Sequence, residues 1–361
     1  VAGELPERNQ NHEIAWPMPV LFEIFIIACG AIMKGLFIPG VTELGASSDS
    51  FPSGIVIPGA NVMTLPPGEW VDLSDIDLTS SALDYRVSFS CASNHAYYSA
   101  DGTIQFAAPD VWPLEYRNGV AVGRHEPEPQ RTNLTSYSEN LAANGPYWSI
   151  NGGVTGITKT GPNNPYGEKS YAVAVTASVY PGVFARMQAS AGQRYTISVA
   201  GISGDSRMML IGNAYFGGEV VNVNFRQKTS TLSSPFTWRF NDVNTEWVRY
   251  AFTGDSIKSG TPATVIYSAE VLAGSYSCAM VQHESGAFAT SPIITNGIPA
   301  TRAAAFATVQ NPGGLASAIM VHYSDNTSEQ LEIPTNSPSI QLPQSANDWG
   351  KRYIQRIEYI R

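Results

Sequence analysis

Charge is scarce in this chain. Only 14% of its 361 residues are Asp, Glu, Lys or Arg, against about 25% in an ordinary globular protein. The 21 Lys and Arg are outnumbered by 30 Asp and Glu, a net charge of −9, and they never gather into clusters. Nucleic acid and anionic membrane surfaces are therefore not expected as partners, because phosphate contacts need such clusters. Cysteine is nearly absent as well: Cys29, Cys91 and Cys278 form no CxxC pair and are odd in number. That excludes a zinc ribbon and a self-contained disulfide framework, and leaves buried free thiols made in a reducing compartment as the expectation.

Long hydrophobic runs are missing too. Between Met18 and Ile38 the residues are mostly apolar, but Glu23 and Lys34 leave only ten uncharged residues between them, short of the ~20 a spanning helix needs. Pro17 and Pro19 open the run and Pro39-Gly40 closes it, while Glu4, Glu7 and Glu13 around the single Arg8 do not fit a secretory signal. Val20 to Phe37 is read as a buried helix or strand pair, or as an interface with another copy of the chain.

The spacings that announce chemistry are also lacking. His12, His95, His125, His283 and His322 stand singly, with no HxH or HExxH pattern, so no metal and no cofactor is expected. Gly204-Asp205-Ser206 and Gly254-Asp255-Ser256 carry the triplet of one serine hydrolase family, but no Asp precedes any histidine by three residues, and both triplets are read as turns. Gly152 to Gly156 has neither a P-loop Lys nor the GxGxxG spacing. Paired carboxylates for glycoside cleavage are defined in space, not in sequence, which keeps a glycan-active hydrolase as an alternative. The long parallel β-helices that host such cleavage in virus fibres would need a repeat, and none is visible.

What the chain has is turns and aromatic rings. Gly 32 and Pro 24 mark the breaks, and between them run strand-period alternations. Val221, Val223 and Phe225 face opposite to Asn222, Asn224 and Arg226; Phe236, Trp238 and Phe240 alternate with Thr237, Arg239 and Asn241. Tyr195, Ile197 and Val199, and Val248, Tyr250 and Phe252, repeat the pattern. The fold class is mainly β: an antiparallel β-sandwich or jelly roll over 131–305. It follows an anchor or oligomerisation segment at 1–50 and a small β region with a linker at 51–130. The linker falls at Glu126-Pro127-Glu128-Pro129, whose prolines oppose helix and ladder alike. A small separate β module at 306–361 closes the chain, with a hairpin turn at Ser324 to Thr327. Seven Trp, 17 Tyr and 14 Phe are enough to fill a core and leave rings outside for stacking on sugars. Tyr147, Trp148 and Tyr166, beside Asn163, have the composition of a carbohydrate site, although core or loop packing is the first expectation for the same rings.

Two stretches resemble a known module. Glu128-Pro129-Gln130-Arg131-Thr132-Asn133-Leu134, then Tyr137-Ser138-Glu139-Asn140 and Tyr147-Trp148, match the pattern "EPQRTNLL.YSE" plus a Trp that opens a module recurrent in bacteriophage tail fibre and tailspike proteins. Gly286 to Ile294 and Thr301-Arg302-Ala303-Ala304 are similar to its closing "FATSYIPT...VTRAA", with Pro292 where Tyr is common. The resemblance implies a carbohydrate-binding-like jelly roll in a non-enzymatic virion protein assembled in the bacterial cytoplasm. It also implies a homotrimer, attached to other virion proteins through the N-terminal region and presenting the module for host adsorption, with host surface glycan as a partner. A purely architectural adaptor or decoration subunit is the alternative. No catalytic residue comes with the module.

Overall fold

The computed structural model describes residues 62–64, 70–142, 148–207, 209–213, 221–232, 235–261 and 263–361. The N-terminal segment 1–50, with its apolar run, lies outside the described residues, as do the strand-like piece Gly54 to Ile57 and Tyr147. The described chain is built almost wholly of antiparallel strands, as the alternating pattern predicts, and its one helical piece is the short turn Pro312–Gly314.

The sandwich lies where the alternation places it. One six-stranded sheet runs in the order Trp148–Asn151, Gly182–Arg186, Ala263–Ser268, Met209–Asn213, Val221–Asn224, Thr229–Ser230. The other runs Val154–Thr158, Tyr171–Val175, Gly274–Ser285, Arg194–Ile202, Trp247–Asp255, Thr237–Asp242. Inward-facing residues of both sheets, among them Val173, Val183, Ile197, Val199, Ile211, Val223, Tyr250 and Ile266, form one core. Burial of such apolar surface drives the sheets together.

The central strands of the second sheet are buried on both faces. Along Trp247–Asp255 every residue but the last is buried, although Arg249 and Thr253 point away from the apolar core. Those polar residues are bonded: Arg249 donates to the Ser198 hydroxyl and to the Thr290 carbonyl, and Thr196 and Thr253 share a hydrogen bond. They are covered by the segments that enter and leave the sandwich and by the rest of the molecule.

The two outer sequence regions are not separate units. Strand Tyr353–Ile360 pairs with Ala318–Tyr323 on one side and with Val120–His125 and Ile76–Asp77 on the other. Strand Ala305–Gln310 pairs with Val87–Cys91 and Ser339–Gln341. Ile76, Leu78, Val87 and Phe89 share one core with Ala307, Val309, Ile319, Val321 and Ile357. The C-terminal β module and the β region before the linker are thus one body made from two distant segments, and the sandwich is inserted between them. The expected hairpin at Ser324 to Thr327 is present, joining Ala318–Tyr323 to Ser328–Glu332.

A third apolar cluster joins body and sandwich, containing Ala96, Tyr98, Ile104, Trp349 and Tyr353 from the body and Ala200, Trp247, Ala279 and Met280 from the sandwich. Tyr98 and Trp349 stack with centroids 4.3 Å apart. Arg117 crosses the junction to the Val243 carbonyl, and Arg239 meets Asp348 with a bond of 2.6 Å.

Candidate functional site

The opening and closing motifs of the sandwich meet in space. Strand Arg131–Asn133 pairs with Ala300–Arg302, and the Thr132 and Thr301 hydroxyls share a hydrogen bond of 2.7 Å. Asn133, wholly buried, donates to the Val281 and Ile293 carbonyls and accepts from the Thr135 and His283 amides. Glu128 accepts from the Ser291 amide and hydroxyl and from Arg302, the last at 2.5 Å. Burial alone would raise the Glu128 carboxyl, but the Arg302 charge and the Ser291 bonds hold it below the usual carboxylate range. These motif residues are therefore a fastening between strands. The Glu126 to Pro129 linker is no solvated tether either: Glu126 and Glu128 are both buried, and Glu126 takes a forked bond from Arg352.

Beside this fastening, the hairpin His95–Tyr98 and Ile104–Ala107 faces the returning segment 292–302. Between them lies a cleft of about 440 Å³, lined by Ser93, Asn94 and Phe106 from the body and by Pro292, Ile293, Ile294, Ala300, Thr301 and Arg302 from the return. That size falls among small-molecule sites, which run from about 300 to 1,000 Å³. Phe106 is 39% exposed and Ile294 40%. Asn94 and Thr301 are exposed, and Ser93 accepts the Ala303 amide.

Phe106 continues into a second ring. Its centroid lies 5.9 Å from that of Tyr166, with the planes 27° apart. Tyr166 rides on the loop 162–167, held by Asn164, whose side-chain oxygen accepts the Tyr166 and Glu168 amides, and by the Ile104 amide bonding to the Pro165 carbonyl. The half-buried Tyr166 sets its hydroxyl, itself buried, beside the Glu139 carboxyl. Burial pushes Glu139 up to about 8, opposed by the Met280 amide that it accepts. Asn163 is exposed on the same loop, and its carbonyl takes the Trp247 indole N–H.

The sequence candidates thus separate. Tyr166 and Asn163 stand together at the junction. Trp148 is a correction: only 3% exposed, it is packed between the sheets with its N–H on the Tyr137 carbonyl. A ring with no free face cannot stack on a sugar. Sequence reading missed Phe106, a single aromatic in a short strand whose meaning depends on a loop sixty positions away.

The isolated histidines also acquire partners in space. His125 meets Glu115 at 2.7 Å and His322 meets Glu358 at 3.2 Å, and the His95 and His125 rings lie 5.3 Å apart. The first pair is buried, with the other Glu115 oxygen accepting the Tyr98 amide. His95 falls to about 4 through burial and the neighbouring His125. Of the two Gly-Asp-Ser triplets, the first lies at a turn as expected, with Gly204 inside it and the Asp205 amide closing it on the Ile202 carbonyl. The other is a correction, since Gly254 and Asp255 end a strand where Asp255 pairs with Arg194. Cys91 and Cys278 are buried free thiols, and among the described residues no group of three His, Cys, Asp or Glu could hold a metal ion. No helix among them is long and apolar enough to cross a membrane.

Compared with protein-family models and with curated proteins, the sequence finds no match.

Proposed function

We propose that the chain is a non-enzymatic bacteriophage virion protein of the tail fibre or spike kind. It is attached to the particle through its N-terminal region, self-associates, most simply as a trimer, and carries an inserted β-sandwich that binds host surface glycan. The observation that supports this reading most is the cleft with its exposed Phe106, continued by Tyr166 and flanked by uncharged polar groups. An aromatic face beside amide and hydroxyl groups is what a sugar ring needs, since its apolar face stacks while its hydroxyls find donors and acceptors. The resemblance of Glu128 to Asn140 and of Gly286 to Ala304 to a tail-fibre module supports the setting. So does the way those two stretches fasten one to the other.

The experiment is adsorption of the fluorescently labelled chain to host cells before and after mild periodate oxidation of their surface sugars. Binding that periodate removes is the expected result. A chain that never binds cells but assembles onto particles would favour the architectural adaptor instead. Oligosaccharide release from host polysaccharide would favour the hydrolase.

A further inference from the structure

The charge around the cleft narrows the class of ligand. Among the described residues Arg302 is the one charged residue in its lining, and its two terminal nitrogens are engaged by Glu128, Ser291 and the Pro129 carbonyl, while its Nε is buried. At the Tyr166 end, Glu168 is matched by Lys159 at 2.7 Å, and Glu139, at about 8, carries its proton at neutral pH. Among the described residues the cleft therefore offers no exposed cation to a carboxylate, while the whole chain carries a net charge of −9, which repels anions. Its walls combine an aromatic face, Phe106, with the aliphatic Ile294, and its neutral polar groups are Ser93, Asn94 and Thr301. A carboxylate brought here would lose water and find only neutral amide and hydroxyl donors, with no cation to offset its desolvation.

We propose that this cleft takes a neutral sugar with one apolar edge, a 6-deoxyhexose being the simplest, and turns away uronic and sialic acids. The inference rests on the glycan reading given above and specifies its ligand. Phe106 stacks on the ring, Ile294 meets the methyl edge, and Asn94 and Thr301 serve the hydroxyls.

The test is a titration of the full chain with rhamnose- and fucose-terminated oligosaccharides and with their glucuronyl and sialyl counterparts, followed by saturation-transfer NMR. The neutral deoxy sugars should bind with Kd on the order of 1 mM and the acidic ones at least tenfold more weakly. Phe106→Ala, with an unchanged circular dichroism spectrum, should weaken the neutral sugars at least tenfold. Asn94→Arg, which places a cation on the exposed rim, should raise binding of the acidic ones. Acidic sugars bound as tightly as neutral ones by the parent chain would overturn the specificity while leaving glycan binding intact. Full binding by Phe106→Ala would place the sugar elsewhere. If none of these sugars bound, and host cells were not bound either, the glycan reading itself would fall.

Discussion

Trp148 and Phe106 show how much the surroundings of a single ring decide. Trp148 fills the space between two sheets, so Trp148→Ala should cost about 3–5 kcal/mol, read as a shift in the urea unfolding midpoint. A folded variant at parental stability would contradict its placement. Glu139 gives a pH signature. Its folded value of about 8 stands above the ordinary 4.5, so the folded state holds the proton more tightly and stability falls as pH rises from about 4.5 through 8. His95 and His283, lowered by burial to about 4 and about 3, act the other way: their contribution is complete above about 6.5 and is lost as pH falls towards their folded values. Glu284, also raised by burial, acts in the same direction as Glu139, so between pH 6.5 and 8 stability is expected to fall with pH. Thermal midpoints should drop across that window in the parent and drop less steeply in Glu139→Gln; equal slopes would refute the assignment. Sequence alone carried half of this. Tyr166 and Asn163 were legible as a loop pair, but alternation cannot say whether Trp148 faces core or solvent at a sheet edge, and nothing local marks Phe106.

The element that matters most is the strap Glu126 to Asn133 with its return partner Ala300 to Arg302. Its prolines read as a tether, and so they would act if the two glutamates were solvated. Instead each carboxylate is matched by an arginine, Glu126 by Arg352 and Glu128 by Arg302, and the strap enters the sandwich as a fixed strand. Breaking one side of a buried pair leaves the other charge stranded, so Glu128→Ala should cost about 3–5 kcal/mol in chemical unfolding. Replacing both partners by apolar residues, Glu128→Leu with Arg302→Met, should recover much of that loss. A double variant as unstable as the single one would show that geometry other than the ion pair holds the strap. The strands of the sandwich were legible because their period is local. The strap's fastening was not, since Glu128 and Arg302 are 174 positions apart.

Across the whole molecule the sandwich is an insertion within a body whose two halves lie on either side of it in sequence. Pairing between Val87–Cys91 and Ala305–Gln310, or between Val120–His125 and Tyr353–Ile360, leaves no trace in composition, which is why 306–361 read as a module of its own. A chain ending at residue 305 would lose the strands that cover Ile76, Leu78 and Phe89. It should expose that apolar face and aggregate, whereas a soluble, monodisperse product would mean the two segments fold independently. The insertion also creates the cleft, since one wall belongs to the body and the other to the returning segment of the sandwich. Hydrogen-exchange mass spectrometry of the full chain, with and without saturating neutral host oligosaccharide, tests that claim most directly. Protection confined to residues 93–106 and 292–302 is the predicted result. Protection centred on the outer strands Gly182–Arg186 and Ala263–Ser268, or none anywhere, would contradict it.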